Sequence, residues 1–131
     1  MTKAPDTVGE IMTVDVVSVS PDAPVEQAVR AMVDRNLGSV LVAEGDRPQG
    51  IFTERDLARR ILDDADLLKR PIRDVMSSPL HSTRRDAQIV EAFDLMNSKG
   101  VRRLAVVDAG RLVGIVTERD LLRWVSAVAA E

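Results

Sequence analysis

The chain has 131 residues, of which 45% are hydrophobic, enough for one folded domain or two small repeats. Eighteen basic and twenty-one acidic residues give a net charge of −3, which argues against a general affinity for nucleic acid. With no cysteine and one histidine, the chain lacks the usual groups for metal binding or nucleophilic catalysis, so we expect no enzyme and no metal site. No apolar run reaches membrane-spanning length, and we expect a cytoplasmic protein.

The predicted elements of the first half follow each other in the order strand, helix, strand, strand and helix. Residues 16–19 are extended, and apolar residues at helical spacing then predict an amphipathic helix that ends near Asn36. That apolar stripe consists of Val25, Ala28, Val29, Met32 and Val33. Residues 40–42 and 50–52 predict a hairpin, and a second helix opens at Thr53.

The second half repeats the first at an offset of 64 residues, since GIFTERDLAR at 50–59 returns as GIVTERDLLR at 114–123. Helices on a small sheet make each repeat α+β, and we expect the repeats to pack with pseudo-twofold symmetry, because neither is large enough to bury a full core alone. The predicted organisation is a flexible N-terminus at 1–7, a first repeat at 8–62, a linker at 63–71 and a second repeat at 72–131 with an extended C-terminal helix.

A Thr-x-x-Asp motif stands where the last strand of each repeat enters its last helix. The motif residues are Thr53 and Asp56 in the first repeat and Thr117 and Asp120 in the second. One interpretation is structural, because a threonine at this place caps backbone N–H groups and an acid suits the first turn. The other is functional, because free N–H groups at a helix start bind phosphate and a nearby carboxylate accepts hydrogen bonds from a ribose diol.

A glycine precedes the threonine by three residues in both repeats, at Gly50 and Gly114. We interpret its missing side chain as room for a ligand to approach the strand backbone, which favours the functional interpretation.

The whole pattern resembles a tandem pair of CBS domains, often called a Bateman module. The resemblance is carried by the Gly-hydrophobic-x-Thr-x-x-Asp ending in both repeats, the strand VRRLAVVD at 101–108, and an Ile-Met or Val-Met pair followed by Thr or Ser. It implies clefts between the repeats that bind adenosine compounds such as AMP, ADP, ATP or S-adenosylmethionine. It also implies that the motif threonines contact phosphate or ribose and that the motif aspartates contact the ribose hydroxyls.

Arg102 and Arg103 stand before the central strand of the second repeat, where the first repeat has Gly38 and Ser39. The resemblance implies that basic residues at this place hold nucleotide phosphates, and an arginine is suited to bidentate phosphate contacts. If only one cleft is occupied, we predict the cleft of the second repeat. The alternative is that both arginines pair with surface acids.

These features predict a regulatory module that binds an adenosine nucleotide and thereby alters its interaction with a partner that the sequence does not identify. The alternative is a ligand-free interaction or dimerisation module with vestigial clefts. Trp124 adds apolar surface to the last helix, and we expect this surplus to form the interface of a homodimer.

Overall fold

Each repeat folds as strand, helix, two strands and helix, which confirms the α+β prediction. The computed structural model describes residues 5–14, 16–77 and 80–130. The helices are α1 (Val8–Ile11), α2 (Val25–Arg35), α3 (Glu54–Arg60), α4 (Ile89–Lys99) and α5 (Glu118–Ala129). The strands are β1 (Ser18–Val19), β2 (Ser39–Glu44), β3 (Arg47–Thr53), β4 (Ser82–Arg84), β5 (Arg103–Asp108) and β6 (Arg111–Thr117). Short 3₁₀ turns lie at Leu67–Lys69 and Ile72–Asp74.

The two sheets have the same topology. In each sheet the central strand, β2 or β5, pairs in parallel with the short first strand and antiparallel with the last strand. The antiparallel pair is the predicted hairpin, and its register places Ser39 opposite Thr53 in one sheet and Arg103 opposite Thr117 in the other. In each hairpin, the motif threonine is therefore the last residue of the final strand that pairs with the central strand.

The chain divides into two structural units whose limits differ from those of the sequence repeats. Val16–Leu80 forms one, the β1–β3 unit, and the N-terminal segment up to Asp15 joins His81–Glu131 in the other, the β4–β6 unit. Helix α1 thus lies with the sheet of the second repeat, and the turn Ile72–Asp74 lies with the sheet of the first. Each sheet receives the leading segment of the other sequence repeat.

The N-terminal segment is bonded into the β4–β6 unit. The backbone N–H of Val8 donates to the carbonyl of Ala87 at 2.9 Å, and the Val8 side chain is fully buried. Within the stretch predicted to be flexible, residues 5–7 also make contacts, because Pro5 accepts a hydrogen bond from Trp124 and Thr7 forms a bridge with Gln88. Residues 1–4 lie outside the part of the chain that the structure describes.

Each unit buries its own hydrophobic cluster, although we expected neither repeat to bury a full core alone. The exchanged segments explain the difference. Ile72 is fully buried in the cluster of the β1–β3 unit, and Val8, its counterpart at the repeat offset, is fully buried in that of the β4–β6 unit. Each repeat therefore completes its core with residues from the other.

The first long helix of each repeat, α2 or α4, ends at a residue in the left-handed conformation, and the end of α2 at Asn36 is the predicted one. Asn36 and Gly100 close α2 and α4 in the left-handed conformation, with φ of 54° and 66°. Glycine adopts this conformation without strain, and asparagine tolerates it better than most other residues.

Replacing Ala109 with asparagine is expected to stabilise the protein. Ala109 and Gly110 connect β5 to β6 with φ of 53° and 79°, and a left-handed alanine costs about 1 kcal/mol. Asn-Gly is the favoured pair for a two-residue hairpin loop with positive φ at both positions. Urea unfolding should show a free energy of unfolding raised by about 0.5–1 kcal/mol for Ala109→Asn. The β-branched Ala109→Val should be less stable than wild type, and a loss of stability in Ala109→Asn would contradict the prediction.

Among the described helices, none is long and apolar enough to cross a membrane. The residues that the structure describes also contain no group of three or more histidine or acidic side chains placed to hold a metal ion.

Candidate functional site

The motif of the second repeat forms a capping box at the start of α5. Thr117 ends β6, and its hydroxyl oxygen accepts a hydrogen bond from the Asp120 N–H at 3.3 Å. Asp120 Oδ2 accepts in return from the Thr117 N–H at 2.8 Å and from its hydroxyl at 3.1 Å. The Asp120 side chain is only 10% exposed, and Arg123 Nη1 lies 3.8 Å from its other oxygen, Oδ1. The structural interpretation of the motif is therefore confirmed for this repeat.

The motif of the first repeat forms the same capping box at the start of α3. The Asp56 N–H donates to the Thr53 hydroxyl oxygen at 3.2 Å, and Asp56 Oδ2 accepts from the N–H and hydroxyl of Thr53 at 2.9 and 3.0 Å. A further bond reaches this carboxylate, because the Ser77 hydroxyl donates to Asp56 Oδ1 at 3.1 Å. Ser77 was not predicted as a partner of the motif aspartate, although the repeat offset pairs it with another hydroxyl residue, Thr13.

Both motif glycines admit a segment of this chain, and our interpretation of them as room for a ligand was wrong. A Cβ on Gly114 would lie 2.6 Å from the sulfur of Met12 and 2.9 Å from the carbonyl oxygen of Thr13. A Cβ on Gly50 would lie 2.5 Å and 2.8 Å from the corresponding sulfur and carbonyl oxygen of residues 76 and 77. We call residues 11–13 and 75–77 the pairing segments, because each forms a backbone bridge to the last strand of a sheet.

The arginines of the second repeat lie next to its motif. Arg103 is half-buried and is the register partner of Thr117, so both side chains leave the same face of the sheet. Arg102 is exposed, and its carbonyl oxygen accepts a hydrogen bond from the Glu118 N–H at 2.9 Å. No acid among the described residues forms an ion pair with either arginine. This observation favours a role in anion binding over pairing with surface acids.

The start of α5 has fewer free N–H groups than the sequence suggested. The Glu118 N–H is bonded to the Arg102 carbonyl, and the Asp120 N–H is bonded to the Thr117 hydroxyl. The guanidinium groups of Arg102 and Arg103 are therefore better placed than the helix end to donate hydrogen bonds to an anion.

Trp124 makes contacts within its own unit, and its predicted place in a dimer interface stays a prediction. Its indole N–H donates to the Pro5 carbonyl at 2.7 Å, and its ring lies 6.4 Å from that of Phe93. Three other apolar side chains of α5 remain 40–59% exposed, and these are Leu122, Val125 and Val128. The apolar surplus on α5 thus consists of this stripe without the tryptophan.

Fold and motif together define a class: tandem α+β repeats in which a Thr-x-x-Asp capping box joins the last strand to the last helix. The CBS domain profile matches residues 8–63 and 72–127, so the chain belongs to the CBS domain family.

Known proteins of similar sequence and structure agree with this assignment. An uncharacterized protein of Methanopyrus kandleri is 39% identical over 89% of this chain, which spans 61% of that protein's length. The CBS domain-containing protein YhcV of Bacillus subtilis is 35% identical over 88% of this chain and 82% of its own length. The structure of CBSX2 in complex with AMP matches at a TM-score of 0.80 and 24% identity, covering 95% of this chain and 99% of that chain, and shows the shared fold.

Proposed function

We propose that the chain is a regulatory module that binds an adenosine nucleotide at the motif of the β4–β6 unit. The observation that carries this proposal is the position of Arg103 opposite Thr117, on the same sheet face and without an acidic partner among the described residues. An unpaired guanidinium beside a hydroxyl is suited to a phosphate group.

The roles follow from the atoms that the capping box leaves available. Asp120 Oδ2 is used within the box. Among the described residues, Oδ1 has only Arg123 nearby, at 3.8 Å, and it can accept a hydrogen bond from a ribose hydroxyl. Arg103 contacts the phosphate, with Arg102 as a second and more exposed cation. AMP is the first nucleotide to test, because CBSX2 binds it within the same fold; ADP, ATP and S-adenosylmethionine remain candidates.

Binding has a regulatory effect only if it changes what the module presents to another molecule. A ligand that binds one conformation more tightly than another shifts the population towards it, and a partner that distinguishes the two then responds. The exposed stripe of Leu122, Val125 and Val128 is the surface that we assign to a homodimer.

A ligand-free interaction module is the second candidate, and the capping boxes favour it. Thr117 and Asp120 already satisfy each other's polar groups, so the motif has a complete structural role without any nucleotide.

Thermal unfolding with and without AMP distinguishes the two candidates. A ligand at 100 times its dissociation constant adds about 2.7 kcal/mol to the free energy of unfolding, or a rise in Tm of about 10 °C for this chain length. Arg103→Ala should weaken AMP binding at least about tenfold, because a hydrogen bond to a charged group contributes about 1.5–3 kcal/mol.

The matched control is Arg84→Ala, which removes an arginine that is exposed and lies near Asp86. This variant should bind AMP as wild type does. Unchanged Tm with millimolar AMP, ADP, ATP and S-adenosylmethionine would favour the interaction module, and an Arg103→Ala protein with wild-type affinity would remove Arg103 from the site.

A further inference from the structure

The two motif carboxylates differ in what surrounds their second oxygen. Both use Oδ2 in a capping box. Asp56 Oδ1 also accepts the hydroxyl hydrogen of Ser77 at 3.1 Å. Asp120 Oδ1 has the exposed guanidinium of Arg123 at 3.8 Å, beyond hydrogen-bond distance. The second oxygen of Asp56 thus already accepts a side-chain hydrogen bond within its own unit, whereas the second oxygen of Asp120 accepts none from the described residues.

The backbone of Ser77 is held in place beside Asp56. The Ile51 N–H donates to the Ser77 carbonyl at 3.0 Å, and the Ser77 N–H donates to the Ile51 carbonyl at 2.8 Å. Met76 lies against Gly50 in the same segment. With its backbone fixed, the serine can withdraw its hydroxyl from Asp56 only by rotating the side chain.

Thr13 occupies the corresponding place in the β4–β6 unit without forming the corresponding bond. Its backbone pairs with Ile115 through the same two hydrogen bonds, at 2.9 and 3.0 Å. In the described part of the chain, Asp120 receives its side-chain hydrogen bond from Thr117 and none from Thr13. A β-branched threonine has less torsional freedom than a serine, so its hydroxyl is less able to turn towards the carboxylate.

We propose that Ser77 is a built-in occupant of the first motif, so that the chain binds one nucleotide, on Asp120. This inference rests on the proposed function, in which the motif aspartate accepts a ribose hydroxyl. On Asp56 the hydroxyl of Ser77 already donates to that oxygen, so a ribose hydroxyl must either displace it or compete with it for the same oxygen. The arginine difference acts in the same direction, because Ser39 stands opposite Thr53 where the second motif has Arg103.

Calorimetric titration with AMP tests the inference by counting sites. Wild type should bind one AMP per chain. Ser39→Arg supplies the missing cation, and the double variant Ser39→Arg/Ser77→Ala also removes the occupant. We expect the double variant to bind a second AMP about fivefold more tightly than Ser39→Arg does, the factor for one ordinary hydrogen bond.

Thr13→Ala is the matched control, because it removes the hydroxyl at the corresponding position. It should leave AMP affinity at Asp120 within about twofold of wild type. If Ser39→Arg does not fold, the double variant Asp120→Ala/Ser77→Ala is compared with Asp120→Ala. In both proteins only the first motif is left to bind AMP. There too we expect about fivefold tighter binding than in Asp120→Ala alone.

The outcomes separate this inference from the proposed function. Two sites of equal affinity in wild type would contradict the role of Ser77 as an occupant of the first motif and support nucleotide binding. Equal second-site affinities in Ser39→Arg and the double variant would also contradict that role of Ser77. Binding by the double variant without binding by wild type would support the occupant and overturn the proposed function. No AMP binding by any variant would overturn both.

Discussion

Replacing Gly114 with valine is expected to lower the free energy of unfolding by about 3 kcal/mol, the upper range for overpacking a tight site. A Cβ at this position would lie 2.6 Å from the Met12 sulfur and 2.9 Å from the Thr13 carbonyl oxygen. The thioether can rotate away, but that oxygen accepts the Ile115 N–H at 3.0 Å and belongs to the backbone pairing. The valine should therefore displace pairing segment 11–13 from β6. Urea unfolding measures the loss.

The single tryptophan reports the same event independently. Trp124 donates to the Pro5 carbonyl, so release of the N-terminal segment should expose the indole and shift its emission to longer wavelength. The control is Met12→Ala combined with Gly114→Val, which removes the sulfur and leaves the Thr13 carbonyl in the way. We expect it to recover only part of the stability. A Gly114→Val protein as stable as wild type would show that the segment does not lie against Gly114 in solution.

Local patterns in the sequence predict most of the fold. The apolar stripe of α2 and the left-handed residues Asn36 and Gly100 mark helices through contacts and torsions within a few residues of each other. The capping boxes are equally local, since Thr117 and Asp120 are three residues apart. A repeat at one offset then duplicates every such prediction, which explains why the hairpins of both sheets were predicted. The parallel pairing of β1 with β2 and of β4 with β5 was not.

The exchange of the leading segments could not be predicted in this way. Two repeats present equivalent sheet edges, and sequence periodicity does not say which edge a given segment will join. The role of Gly114 depends on Met12, and the role of Trp124 depends on Pro5, both more than one hundred positions away in the chain. Ser77 was missed for the same reason, because its partner Asp56 belongs to the other sequence repeat.

Asp120→Ala is expected to weaken AMP binding by about tenfold to a hundredfold, because a hydrogen bond between a ribose hydroxyl and a carboxylate contributes about 1.5–3 kcal/mol. The same substitution removes an acceptor from a capping box, which costs about 1 kcal/mol of stability without any ligand. Affinity measured on this variant alone would therefore mix the loss of a contact with the loosening of α5.

Asp56→Ala separates the two effects, because Asp56 caps α3 with the same three hydrogen bonds, within 0.1 Å in length. Both variants should lose about 1 kcal/mol of capping energy in urea unfolding, and Asp56→Ala should lose somewhat more, because it also removes the acceptor of the Ser77 hydroxyl. Only Asp120→Ala should lose AMP affinity. A control that costs at least as much stability and still keeps its AMP affinity assigns the loss in Asp120→Ala to the ribose contact. Equal affinities would mean that the aspartates act only as caps, and the interaction module would then be the better account of this chain.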